Sequence, residues 1–452
     1  MSLPISVSGM KSRMSRQGRS REATEGESLS VANGEENAFT TREADSDQWF
    51  RSFCRVVVVV ATMLYLVQLL TPLRLTTDAI DYLSLADAAS RGGVVGLFTS
   101  NFRFPKGYPF FAFLLMRTGL FSSATLVAAN LVFFAAGLAF SFKTLTQLGA
   151  RRRHALLVCL LTLVSFTAVK HITQGMSDFL FFALSSCTCW LMTVRARFAW
   201  IAMLICAVCA METRFIGLAL AVPLVVIAWP LVRKRAAIAL LPAVVGFGSL
   251  GIWAGRHYLA ANLEFLRRHG LFSFIVGAVT FHSRDFGELL MNVPFAKLPA
   301  ESRFVLLPIG AVAMLLFLAG AFALRRLSNW ISAYLIAYSL LVLLWPSTDP
   351  RFWLPALPFV WLAIGSGVSL VLKDFGKPQV LAAYVVVFCA LGVAALAYST
   401  WVTFSGPKFP DRYGDGLLRT TYLQGCSPTS SSTNGPALNL LQRYGWHCHM
   451  EP

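Results

Sequence analysis

Apolar stretches of roughly 17–22 residues recur almost from end to end of the chain, separated by short polar connections. Each is long enough to cross a bilayer as an α-helix. The pattern predicts about eleven such helices, over 54–72, 122–143, 155–171, 178–194, 198–212, 214–232, 236–254, 304–324, 330–346, 353–372 and 379–401. Two intervening segments are too long to be plain connectors: 73–121, with the amphipathic run from Asp81 to Ala89, and 255–303, with apolar residues at near-helical spacing around Phe265, Phe272, Ile275 and Val279. Both read as helices lying in the interface plane. The fold class expected is therefore an all-α polytopic membrane protein.

Polar sequence flanks this region on both sides. Residues 1–50 are rich in Ser, Glu, Arg and Gly, so they bury too little apolar surface to offset the entropy of folding and are expected to be a disordered tail. They do not read as a cleaved leader, because the apolar run that follows has no small-residue cleavage site close behind it. A membrane domain over 51–401 and a polar, loosely ordered tail over 402–452, with Pro407, Pro410, Pro428 and a serine run, complete the division.

Charge orients the arrangement. Of 452 residues, 56% are hydrophobic and only 13% charged, which excludes an ordinary soluble domain. The net charge of +17 comes in short clusters between apolar stretches, not as one basic face, so it speaks for topology and against nucleic acid. Arg51 and Arg55, Arg151 to Arg153, Arg195 and Arg197, Arg233 to Arg235, Arg325 and Arg326, and Lys373 and Lys377 fall on the side that also holds the N-terminus, which is then cytoplasmic. An odd number of crossings puts the C-terminus outside, in a bacterial inner membrane or a plasma membrane. After the N-terminal tail nearly all acidic residues fall on the opposite, outer side, so that face is where chemistry is expected. The outer segment 255–303 carries six basic residues against this rule, which means either a miscounted pair of spans or cations meeting an anionic ligand.

The acids and bases of the outer side sit in recognisable company. Thr76-Thr77-Asp78-Ala79-Ile80-Asp81-Tyr82 follows the first span, and Phe104-Pro105-Lys106-Gly107-Tyr108-Pro109 comes soon after. In a helix Asp78 and Tyr82 share a face. Gly175-Met176-Ser177-Asp178 precedes the fourth span, Glu212-Thr213-Arg214 falls between the fifth and sixth spans, and Asp349-Pro350-Arg351-Phe352-Trp353-Leu354-Pro355 opens a late helix. In this order and on one side, these motifs resemble the GT-C superfamily of membrane glycosyltransferases, of the protein mannosyltransferase and aminoarabinose transferase type, over about residues 54–372. Lys106 departs from the pattern, since many members have proline there.

The resemblance implies a polyprenyl-phosphate sugar as donor, a glycan, lipid or protein as acceptor, and a site at the outer membrane surface. It implies Asp78 as general base, Asp81 and Asp178 as acceptor or metal ligands, and Arg351 and Arg214, with Lys106 as a third cation, as clamp on the donor phosphate. Tyr82, Tyr108 and Glu212 would contact substrate. Such transfer breaks an anomeric C–O bond through an oxocarbenium-like state, so one base and one fixed set of cations suffice. Mg²⁺ or Mn²⁺ bound by the acids and metal-free catalysis are both open.

Simpler roles stand beside these. Asp178 after Ser177 is well placed as a helix cap, and Arg214 and Arg351 as interfacial anchors. His257, His269 and His282 fit no zinc spacing. Cys206 with Cys209, and Cys187 with Cys189, read as small core residues, whereas Cys426 and Cys448 lie outside, where a disulfide would close the tail and the neighbouring His447 and His449 offer an incidental metal site. No phosphate-binding Gly-Lys-Ser/Thr loop is present, which disfavours an ATP-driven pump. A flippase or secondary transporter of lipid-linked sugars, or a glycan polymerase or ligase, are the alternative functions.

Overall fold

The computed structural model describes residues 48–99, 104–194, 196, 198–232, 240–295, 298–345, 349–371, 378–414, 417–424 and 435–444. The tail over 1–47, Cys426, Cys448, His447 and His449 lie outside the described residues, as do the side chains of His257 and His269.

Among the described residues the chain is all helical, with a single isolated backbone bridge between Arg74 and Gln174. After α1 (Gln48–Leu70) come α2 (Thr77–Gly92), α3 (Val94–Thr99) and α4 (Gly107–Arg117). Next are α5 (Ser123–Gln147), α6 (Arg152–Leu163), α7 (Phe166–His171), α8 (Asp178–Leu191) and α9 (Ala199–Thr213), then a 3-10 turn (Phe215–Leu220) leading into α10 (Ala221–Val232). The later helices are α11 (Leu240–Met291), α12 (Ala300–Ala323), α13 (Asn329–Leu343), a 3-10 helix (Pro350–Ala356) running into α14 (Leu357–Val371), and α15 (Pro378–Thr403). Three short helices follow among the described residues: α16 (Phe409–Tyr413), α17 (Leu417–Gln424) and α18 (Gly435–Tyr444).

Where they are described, the apolar stretches are mostly helical, but they are not equal. Among the described residues five helices are long and apolar enough to cross a membrane: Gln48–Leu70, Ser123–Gln147, Arg303–Arg326, Pro350–Val371 and Gln379–Thr403. The stretch expected as one span over 155–171 breaks at Val164 and Ser165 into α6 and α7. Asn292, among the described residues the one non-glycine residue with positive φ (54°), stitches that break. Its Oδ1 accepts the Phe166 N–H at 2.7 Å, and its Nδ2 donates to the carbonyls of Val164 at 3.1 Å and Phe388 of α15 at 2.9 Å. The freed backbone groups of a broken helix are thus satisfied from another chain segment, as a low-dielectric surrounding requires.

One difference from the sequence-based expectation concerns the polar tail. The stretch 255–303 carries a helix of its own, as expected: the 52-residue run of α11 is two helices that meet across a kink at Gly270 (φ 78°), the second occupying 271–291. The tail after 402 is not loose where it is described, for α16, α17 and α18 pack with α2 and α4 in one apolar core that includes Leu73, Tyr82, Tyr108, Tyr422 and Leu440. The amphipathic run in 73–121 is α2, as expected.

Close helix approach relies on small residues. A Cβ at Gly320 of α12 would overlap the Ala363 carbonyl oxygen of α14, and one at Gly310 would overlap that of Ser283 in α11. This holds α11, α12 and α14 together around Trp353, whose ring meets those of Phe286 and Phe317 at 4.8 and 5.6 Å.

Candidate active site

Four of the predicted site residues, Asp78, Asp178, Arg214 and Arg351, stand where a helix starts or breaks. The Thr76 hydroxyl accepts the Ala79 N–H at 3.2 Å and caps α2, which puts Asp78 in its first turn. Asp178 is the first residue of α8. Arg214 is the extended residue (φ −148°) between α9 and the following 3-10 turn. Arg351 follows Pro350 in the 3-10 helix before α14, which Asp349 caps by accepting the Arg351 N–H at 3.0 Å. Helix ends carry unpaired backbone groups and no obligatory side-chain face, so a fold can aim polar side chains there at little cost.

Four of these residues form two ion pairs. Arg351 Nη2 donates to Asp78 Oδ2 at 2.5 Å, and Arg351 Nε lies 3.0 Å from Asp349 Oδ2. Arg214 Nη1 donates to Asp178 Oδ1, and Asp178 is wholly buried. The Phe352 ring links the pairs, since the Arg214 and Arg351 guanidinium carbons lie 5.4 and 5.3 Å from its centroid. The site therefore holds three carboxylates and two guanidiniums. The second oxygen of Asp178, Oδ2, is buried without a hydrogen-bond partner.

Met176, from the loop before α8, ties the α2 cap to the arginine. Its sulfur accepts the Thr76 hydroxyl at 3.1 Å and an Arg351 N–H at 3.8 Å. His171 Nδ1 meets Gln174 Oε1 at 2.7 Å, and its Nε2 is 3.9 Å from Asp349 Oδ1. The Tyr338 hydroxyl of α13 donates to the Phe352 carbonyl. Burial alone would raise the carboxyl of Asp349, but His171, Arg351 and Lys170 together hold it below its ordinary value.

The remaining predicted residues lie around this core. The buried Tyr82 ring packs on Tyr108 at 5.5 Å and Phe104 at 5.3 Å, its phenol raised by burial against the opposing charge of Arg214. Gly107, at the start of α4, abuts the backbone of Glu212, so α4 seats Lys106 and Tyr108 next to the Glu212-Thr213-Arg214 turn. Lys106 is half-buried, and desolvation lowers its ammonium. Asp81 is half-buried beside Tyr82 on α2. Among the described residues no group of three or more His, Cys, Asp or Glu side chains converges as metal ligands would.

Asp349, His171, Met176 and Phe352 were not predicted as site residues. Asp349 had a signal, since an aspartate directly before proline is a common helix start. His171 and Met176 had none, because each contacts residues far away in sequence.

No protein-family model matches the chain, and a comparison with curated proteins finds no match. Among solved structures the chain is similar to the crystal structure of ArnT from Cupriavidus metallidurans bound to undecaprenyl phosphate. The likeness has 16% identity and a TM-score of 0.45, and covers 87% of this chain and 73% of that one.

Proposed function

We propose that the chain is a GT-C-type membrane glycosyltransferase that moves a sugar from a polyprenyl-phosphate donor to an acceptor hydroxyl at the outer membrane face. One observation carries this reading: Asp78, Asp178, Arg214 and Arg351 come from four separate helix ends to a common place around Phe352, within a bundle otherwise built from apolar helices. Ionisable groups gathered in apolar surroundings are costly and mark function by default.

The acceptor oxygen bonds to the anomeric carbon as the bond from that carbon to the phosphate oxygen breaks. Asp78 takes the acceptor proton, and the electron pair leaves with the lipid phosphate, whose charge the two guanidiniums stabilise. A single displacement inverts the anomeric centre. Asp178 Oδ2 has the open acceptor capacity that a substrate hydroxyl needs. Arg351 bridges Asp78 and Asp349 through separate nitrogens, a geometry that only the planar guanidinium offers.

Asp78→Asn tests the reading. With a panel of polyprenyl-phosphate sugars, turnover falls about 10²–10⁴-fold, while the variant still binds undecaprenyl phosphate. Unchanged turnover would remove Asp78 from the mechanism.

A second reading has one observation in its favour. His282, Asp285 and Glu288 of α11 are buried ionisable residues beside the ion pairs at Phe352, with the His282 ring 6.3 Å from that of Trp353, a run of titratable groups such as a proton-coupled carrier uses. Labelled lipid-linked sugar crossing the bilayer without being consumed would establish the transporter.

A further inference from the structure

The segment that launches Asp78 has no helix or sheet of its own to satisfy it. Residues 71–76 run between α1 and α2, and only Arg74 bridges to Gln174, on the loop that leads to Met176 and Asp178. Three other backbone groups of this segment, the Leu73 carbonyl and the N–H and carbonyl of Leu75, are met by side chains more than three hundred residues away. The Tyr422 hydroxyl of α17 donates to the Leu73 carbonyl at 2.6 Å and accepts the Leu75 N–H at 2.8 Å. The Tyr413 hydroxyl of α16 donates to the Leu75 carbonyl at 2.9 Å. Both phenols are held protonated by burial, so they remain donors through the neutral range.

The far end of α2 is held by the same part of the chain. Asp87 is buried (5% exposed), yet it takes Arg443 Nη1 at 3.0 and 2.9 Å on its two oxygens and the Tyr444 hydroxyl at 2.9 Å, besides Arg91 of its own helix at 2.8 Å. Tyr444 also packs edge-on against Phe121 at 4.7 Å. Arg74 itself is buried over the rings of Phe409 and Tyr413, at 5.8 and 5.4 Å, and donates to Thr71, Ser399 and Thr403.

We infer that the C-terminal segment, through Tyr413, Tyr422 and Arg443, is a positioning element that fixes α2 at both ends and so sets where the Asp78 carboxylate stands. This rests on the assignment of Asp78 as general base. Among the described residues, no hydrogen bond or ion pair joins Tyr422 or Arg443 directly to Asp78, Asp178, Arg214 or Arg351. Their effect is transmitted by the backbone of residues 73–75 and the rigid α2. A catalytic group displaced by about 1 Å can cost about 10² in rate without altering donor binding.

The test uses the full-length protein with Tyr422→Phe, Arg443→Gln and Arg443→Lys, read by hydrogen exchange and by steady-state kinetics. Tyr422→Phe, which deletes both hydrogen bonds and keeps the ring, accelerates exchange of the Leu75 to Ile80 amides about tenfold or more while α12 and α14 are unchanged. It lowers kcat by about tenfold or more with donor KM within about twofold. Arg443→Gln does the same more weakly without touching the core, and Arg443→Lys, which keeps a charge for Asp87, recovers most of the rate. Unchanged exchange in both Tyr422→Phe and Arg443→Gln overturns the inference. Faster exchange with intact kcat shows a brace without a positioning role and overturns it too. Wild-type protein without transferase activity refutes the function instead; undecaprenyl phosphate binding and the exchange data then still decide whether the tail holds α2.

Discussion

Arg214→Gln leaves Asp178 as a wholly buried carboxylate whose one hydrogen-bonded oxygen has lost its donor. Breaking a buried ion pair from one side costs about 3–5 kcal/mol, because the remaining charge keeps its desolvation penalty without its partner. Adding Asp178→Asn removes that charge, so the double variant regains most of the loss. It does not regain all, since the guanidinium also stacks on Phe352, a contact worth about 2 kcal/mol when desolvated. The expected outcome is a double variant about 1–2 kcal/mol below wild type and clearly above Arg214→Gln; because Asp178→Asn alone strands the Arg214 charge at a similar cost, the coupling energy is at least about 4 kcal/mol. The assay is unfolding in mixed detergent micelles over the full cycle of wild type, two single variants and the double. Additivity within about 0.5 kcal/mol would refute the reasoning, for it would mean that Asp178 does not depend on Arg214 for its charge.

Three further outcomes follow from the same geometry. Arg351→Lys keeps the charge but cannot bridge Asp78 and Asp349 together, so donor KM rises by about tenfold or more, nearly as far as in Arg351→Ala, in a radiolabelled transfer assay. The carboxyl of Asp349 is lower when folded than its ordinary value of 3.8, so its stabilising contribution is present above about pH 4 and is lost as pH falls through the folded value. Melting curves should therefore show Asp349→Asn less stable than wild type near neutral pH and the two converging as pH falls below the ordinary carboxyl range; a gap that does not narrow on acidification would contradict this. In Gly107→Ala the new Cβ meets the Glu212 carbonyl oxygen at 2.7 Å, so α4 is pushed off the turn that carries Arg214. A loss of about 1–3 kcal/mol is expected, and a melting temperature equal to wild type would show that this contact yields freely.

The motifs at Asp78, Asp178, Arg214 and Arg351 were legible because helix ends have local signatures: Thr76 before an acid, Ser177 before an acid, Asp349 before Pro350. The partners of those residues were not. Whether Asp178 is a cap or a member of an ion pair is answered by Arg214, from a different helix. Asp349 reads as a cap, and it is one, but it also shares Arg351 with Asp78.

Hydropathy along the chain determined by itself that this is a bundle of apolar helices, where most of them begin and end, and which ends carry charge, because a bilayer-length apolar run needs no partner to declare itself. It did not determine that 155–171 is two helices, since the break at Val164 is satisfied by Asn292 from far along the sequence. Nor did it show that polar, proline-containing sequence after 402 folds back as helices onto α2, because the apolar face of each is short and has value only against Leu73, Tyr82 and Tyr108. Pairing of Asp78 with Arg351 across 273 residues, and support of its helix by Tyr422, are decisions of tertiary structure alone: a buried charge or backbone group must find a partner, and only the packed chain determines which one is within reach.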